Sequence, residues 1–187
     1  FYINSPGGSV SAGLAIYGSW ARRRTWVYLF KPLTTILIIV LATALPADPS
    51  SRYRIAVLIG LLLSLAGDIF LMLPGDRFIA GVAAFLGAHL AYLAAFTSVV
   101  PFAASPAAFA VVAAAVVAIL AALWASLPTP MRVPLVVYAV VLGSMVAQAL
   151  SQWTVLQSAA AAAGAIGAGL FLGSDSMLVT DGFARPF

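Results

Sequence analysis

An all-α, polytopic transmembrane helical bundle is predicted by three observations. The 187-residue chain is 64% hydrophobic and only 7% charged, with mean hydropathy +1.11. A soluble domain is roughly half apolar and about a quarter charged. The apolar residues also come in runs long enough to cross a bilayer, which takes about 17 to 25 residues. Finally, those runs lack period-2 alternation and are far longer than barrel strands. Such a composition excludes a typical cytosolic enzyme, a nucleic-acid-binding module and a disordered chain. A pI near 9.9 does not bring nucleic acid back, because the basic residues are few and sit between apolar runs, as loop residues do. The chain has no Cys and one His, His89. There is therefore no thiolate site, no Cys nucleophile and no His-rich metal site. It also has no Glu, so any carboxylate chemistry falls to Asp.

Six spans are expected, at residues 29–45, 53–73, 78–100, 107–127, 131–149 and 153–179. The last is long and is expected to break near Gly173. Turn chemistry separates the spans: Pro46-Ala-Asp-Pro49-Ser-Ser, Pro74-Gly-Asp-Arg77, Pro101 to Pro106, and Pro128-Thr-Pro130. Pro32 and Pro134 are placed in first helical turns, where a missing N–H costs little. Gly169 and Gly173, like Gly164 and Ala168, have the small-xxx-small spacing of close helix packing. No internal repeat of the transporter kind is present.

Six alternating crossings put Arg22, Arg23, Arg24, Lys31, Arg77, Arg132 and Arg185 on one side, and Arg52 and Arg54 on the other. The Arg-rich side is then cytoplasmic, and the chain is expected in a bacterial inner membrane. Asp48, Asp76 and Asp181 fall in loops or the tail. Asp68 and Asp175 fall inside apolar runs, where an ionisable group costs several kcal/mol unless it is paired or faces a polar cavity. Asp68 lies about six residues before Pro74, or roughly 9 Å deep at 1.5 Å per residue. Asp175, Lys31 and Tyr138 approach the same side, so four helices are expected to place polar groups in one layer. His89 is somewhat deeper, with Tyr92 on its face at i+3 and Ser64 sharing a face with Asp68 at i+4. Ser174 and Ser176 flank Asp175.

Two carboxylates in one low-dielectric pocket do not both ionise readily. One is then a general acid and the other an anion that stabilises positive charge, which suits chemistry through an oxocarbenium ion. The same residues also suit a purely structural cluster, in which Lys31 neutralises one Asp and serines satisfy the rest. A transporter or channel using the aspartates as a proton or cation site, and a non-catalytic lipid-binding membrane protein, are the other function classes.

Five stretches carry a family resemblance: Tyr28-Leu-Phe-Lys-Pro-Leu-Thr-Thr35, Gly67-Asp-Ile-Phe-Leu-Met-Leu73, Phe78 through Gly-Ala-His89-Leu-Ala-Tyr92, Val133-Pro-Leu-Val-Val-Tyr138 onward to Met145, and Gly169 through Phe187 around Leu172-Gly-Ser-Asp-Ser-Met-Leu178. In order and spacing, residues 20–187 resemble the YhhN-like lysoplasmalogenase family of polytopic membrane proteins. The resemblance implies hydrolysis of the vinyl-ether bond of lysoplasmalogens, a lysophospholipid substrate, no cofactor or metal, and Asp68 and Asp175 as the catalytic pair. A hypothesis for the other groups follows: Lys31 contacts the substrate phosphate or tunes one Asp, and His89 and Tyr138 position the ether oxygen or the water. Tyr92, Ser64 and Ser174 complete the expected substrate-binding set.

The resemblance also implies about eight spans and a final helix beyond Arg185-Pro-Phe187. Together with a start at Phe1 rather than Met, it leads us to expect a fragment. Residues 1–19 read as a separate N-terminal segment. Within it, Phe1-Tyr-Ile-Asn-Ser-Pro-Gly-Gly-Ser-Val-Ser-Ala-Gly-Leu-Ala-Ile-Tyr17 is similar to a stretch of the Clp protease proteolytic subunit. The Ser and His motifs of that family do not follow, so protease activity is not expected.

Overall fold

A computed structural model describes the backbone of residues 24–44, 51–73 and 77–183, and the side chains of residues 32–44, 52–73, 77–125 and 127–176. Residues 1–19, with the Clp-like stretch, lie outside the described residues, as do Arg22, Arg23 and Arg185. The described residues are helical and contain no strand. Six α-helices follow in order: α1 Arg24–Ala44, α2 Ser51–Met72, α3 Phe78–Val99, α4 Pro106–Leu123, α5 Thr129–Leu156 and α6 Ala159–Phe183, with a 3-10 turn, Trp124–Ser126, after α4. The chain divides into two compact units, Phe1–Ser98 and Val99–Phe187.

Burial is inverted relative to a water-soluble protein. Leu37, Leu41, Ile59, Leu62, Val111, Val117, Val133 and Ile166 are all exposed, whereas Ser64, Asp68, His89, Gln148, Ser151 and Asp175 are buried. A helix surface of Leu, Ile and Val around a polar interior is what lipid selects, since lipid solvates apolar side chains and polar ones must face protein.

By length and apolarity four described helices can cross a bilayer: Arg52–Met72, Phe78–Val99, Pro106–Leu123 and Thr129–Leu156. That is fewer than the six expected. Of the 21-residue α1, only Pro32–Ala44 falls among the residues with described side chains. In α6, weakly apolar Ala and Gly residues and the Ser174-Asp175-Ser176 triplet dilute the hydrocarbon character. At 28 residues, α5 is roughly 42 Å long at 1.5 Å per residue. It exceeds a hydrocarbon core of about 30 Å and must tilt or reach into the headgroups.

Several expected boundaries move. Helix α1 starts at Arg24 and α5 at Thr129, so Pro32 and Pro134 are interior rather than in first turns. Arg, Thr and Trp are poor in membrane terms but acceptable in a helix, which therefore begins outside the apolar run. Helix α5 does not stop at 149; it runs to Leu156 and ends where Gln157 adopts φ 49 and donates its N–H to the Trp153 carbonyl at 2.8 Å. Helix α6 then starts at Ala159 rather than 153 and passes Gly173 unbroken.

In the first unit α1 packs on α2, and the Arg54 guanidinium donates to the Thr43 carbonyl at the end of α1. Helices α2 and α3 meet at glycines. A Cβ built on Gly60 would lie 2.4 Å from the Tyr92 ring, on Gly67 2.7 Å from the Phe85 ring, and on Gly81 2.7 Å from Leu71. In the second unit α5 is central, packing on both α4 and α6. Its Gly143 lets Val116 of α4 approach to 2.9 Å of a would-be Cβ.

The close packing expected at Gly169 and Gly173 is not found among the described residues. Nothing lies within 4 Å of a Cβ built on Gly167, Gly169 or Gly173 among the described residues. The buried seam of α6 is instead Ala161, Ala168 and Asp175, at seven-residue intervals, the spacing that keeps one face toward a partner helix.

Candidate functional site

Among the described residues each unit buries one aspartate, and each of the two has a phenol among its neighbours. In the first unit Ser64 and Asp68 sit four residues apart on α2, and His89 and Tyr92 three apart on α3, so each pair shares a face. The Gly60 and Gly67 contacts bring these two faces together. Ser64 is 6% exposed, Asp68 5% and His89 fully buried. The Ser64 and Tyr92 hydroxyls are 3.3 Å apart and share a hydrogen bond, and Asp68 is close enough to act electrostatically on Tyr92. The structure thus gathers Ser64, Asp68 and Tyr92 into one buried polar cluster, with His89 on the Tyr92 face of α3.

In the second unit the Tyr138 hydroxyl donates to Asp175 Oδ2 at 2.6 Å. This is the short distance of a hydroxyl on a carboxylate, about 2.5–2.7 Å. Three helices supply the surroundings with matching periodicity. Val116, Ile119, Leu120 and Leu123 come from α4, Leu135, Tyr138, Ala139 and Leu142 from α5, and Leu172, Asp175 and Ser176 from α6. In each case the spacing is i, i+3, i+4, the single-face pattern of a helix. They enclose a small cleft of about 40 Å³, walled by hydrocarbon except where Tyr138, Asp175 and Ser176 face it. Among the described residues no Lys or Arg lines it. The Ser176 hydroxyl donates back to the Leu172 carbonyl at 2.7 Å, and Ser174 is half-buried beside Asp175.

Lys31 lies within α1, and its side chain is outside the described residues. Among the described residues no three His, Cys, Asp or Glu side chains come together as metal ligands would.

An uncharged amide is also buried, and a ranking of residues by charge does not single it out. Gln148 is fully buried in α5. It accepts from the Ala103 N–H at 3.1 Å and donates to the Val100 carbonyl at 2.8 Å and the Pro101 carbonyl at 3.3 Å. One turn on, Ser151 accepts from the Ser105 N–H at 2.8 Å. Ser105 in turn caps α4 through the Ala108 N–H, and the Phe102 and Phe109 rings meet edge to face at 5.0 Å. The turn at 100–105, in which Ala103 has φ 58, is therefore clamped by α5. A Gln inside an apolar run was the available signal, since an uncharged amide in hydrocarbon also needs partners.

The comparisons agree with this membrane architecture. An uncharacterized membrane protein, YhhN, from Escherichia coli O6:H1 is 39% identical over 90 residues, which is 48% of this chain and 42% of that protein. YhhN proteins from Escherichia coli O157:H7 and Shigella flexneri match to the same extent. The matched region spans about two fifths of the length of these relatives. No solved structure gives a significant match. Nothing in the comparisons supports the Clp-like reading of residues 1–17. The sequence profile of the YhhN family covers residues 26–187, most of the chain, which therefore belongs to the YhhN family.

Proposed function

We propose that the chain is a membrane-embedded hydrolase that cleaves the vinyl-ether bond of lysoplasmalogen-type lipids, with Asp68 and Asp175 as its acid–base residues. The observation that carries this reading is the burial of both groups, at 5% and 9% exposure, inside helices otherwise built for hydrocarbon. Family membership and the resemblance of the Gly67-Asp68 and Ser174-Asp175 motifs support it.

The chemistry needs no metal and no covalent nucleophile. A carboxylic acid transfers its proton to the alkenyl carbon that is not bonded to oxygen, and the double-bond electrons form the new C–H bond. The adjacent carbon becomes an oxocarbenium ion, which a carboxylate stabilises, as in glycoside hydrolysis. Water adds to that carbon and loses a proton to a carboxylate, giving a hemiacetal. Collapse of the hemiacetal breaks the C–O bond, releasing a fatty aldehyde and a glycerophospho-alcohol. The net change is addition of one water. Lys31 is proposed to contact the phosphate. Ser64, His89, Tyr92 and Ser174 are proposed to hold the ether and the water. The setting is a bacterial inner membrane, with Arg22, Arg23, Arg24, Arg77, Arg132 and Arg185 on the cytoplasmic side by the positive-inside rule.

The test is aldehyde release from a defined lysoplasmalogen by detergent-purified protein. Wild type is expected to turn over, and Asp68→Asn and Asp175→Asn each to lose about 100-fold or more in kcat while remaining folded. Full activity in either variant removes that residue from the mechanism. An inert wild type whose liposomes carry an Asp68- and Asp175-dependent proton flux replaces the hydrolase with a transporter.

A further inference from the structure

We infer that Tyr138 is a positioning residue for Asp175, holding its carboxyl toward the cleft between α4, α5 and α6 rather than binding substrate directly. This rests on the hydrolase reading and adds a role which that reading does not require. Two observations carry it. The phenol donates to Asp175 Oδ2 at 2.6 Å across 37 residues of sequence, so the bond ties α5 to α6. The pair sits where three apolar faces converge, and both members line the cleft.

A neutral donor is a particular choice here. A Lys or Arg would bind the carboxylate in an ion pair and compete with positive charge developing on the substrate. A phenol fixes one oxygen of the carboxyl through a directional bond and leaves the group able to meet an oxocarbenium ion. Leu135, Ala139 and Leu142 line the same cleft from α5. An Asp side chain has two rotatable bonds, and a directional bond from the phenol restricts both.

The experiment uses Tyr138→Phe, which keeps the ring and removes only the hydroxyl. Two readouts separate positioning from structure and from substrate contact. In lysoplasmalogen turnover, kcat is expected to fall about 10- to 100-fold with KM within about twofold of wild type, as expected for loss of a charge-assisted hydrogen bond made by the catalytic group. A raised KM with kcat retained would overturn the proposal and make Tyr138 a substrate contact. Unchanged kinetics would overturn it as well. In infrared difference spectra of protein labelled with carbon-13 at the aspartate carboxyl, the band lost in Asp175→Asn identifies Asp175. That band is expected to shift in Tyr138→Phe without substrate, and a band that stays put overturns the pairing. A wild type inert toward lysoplasmalogen would sink the hydrolase reading alone, because the infrared band decides the Tyr138–Asp175 pair without turnover.

Discussion

The two units bury the same kinds of group by different means. In the first, helices α2 and α3 are brought together by small residues: Gly60, Gly67 and Gly81 let aromatic and Leu side chains press directly on backbone. The polar residues Ser64, Asp68 and His89 are then enclosed by that approach. In the second, hydrogen bonds from α5 organise the neighbours: Tyr138 to Asp175 on α6, and Gln148 and Ser151 to the turn before α4. The contrast is one of mechanism. Close packing in lipid is driven by dispersion, since hydrocarbon outside the helices is as apolar as hydrocarbon between them. Hydrogen bonding there is driven by the cost of leaving a polar group without a partner. A unit of the first kind should fail when volume is added, and one of the second kind when a donor or acceptor is removed.

The sharpest test of that difference is Gln148→Leu. Leucine is close in volume and suited to an apolar helix, so packing alone predicts a neutral change. Hydrogen bonding predicts the opposite, because the Ala103 N–H and the Val100 and Pro101 carbonyls lose their side-chain partner together. The expected loss is about 3 kcal/mol, or roughly 10 °C in the Tm of the detergent-solubilised protein. A change below about 2 °C would mean that water or lipid replaces the amide, and the clamp would lose its structural weight.

Next in size are Gly60→Ala and Gly67→Ala in the first unit. Here nothing polar changes and only one methyl is added. At 2.4 Å and 2.7 Å from aromatic ring atoms, that methyl forces the Tyr92 or the Phe85 ring aside. Each substitution should cost about 1–3 kcal/mol. Gly60→Ala should also separate Tyr92 from Ser64, since the ring that must move carries the hydroxyl. Phe85→Leu combined with Gly67→Ala should recover part of the loss, a coupling that a double-mutant cycle measures directly. Strict additivity would break the claim that the two residues are in contact.

How much of this could be read from the sequence depends on whether a residue's chemistry reveals its surroundings. Proline punctuation located most helix starts, and the rarity of charge marked Asp68 and Asp175 as costly groups needing an explanation. Tyr138 was picked out by depth, yet its bond to Asp175 depends on how α5 and α6 rotate about their axes, which a uniformly apolar pattern leaves open. Helix α5 ends later than the expected residue 149, although Gln148, Ser151 and Gln152 look like a polar connection. They are buried, and the true end at Gln157 takes a left-handed conformation without the glycine that normally announces one. The spacing of Gly169 and Gly173 fits close packing, but spacing does not say which face of a helix turns inward.

That last point yields the smallest effect, and one of opposite sign. If α6 packs through Ala161, Ala168 and Asp175, a methyl at Gly169 meets open space, because among the described residues nothing lies within 4 Å of its would-be Cβ. The substitution then keeps every contact and removes only the conformational freedom of glycine, which in a helix interior is worth about 0.5–1 kcal/mol in favour of alanine. Gly169→Ala should therefore leave the Tm unchanged or raise it by up to roughly 3 °C, while Gly67→Ala lowers it. If Gly169 served as a packing glycine, Gly169→Ala would instead lower the Tm as Gly67→Ala does, and a surface of this helix would have a partner at Gly169. The two alanine variants, identical as chemistry, thus read out which glycines hold helices together and which only permit the sequence to be there.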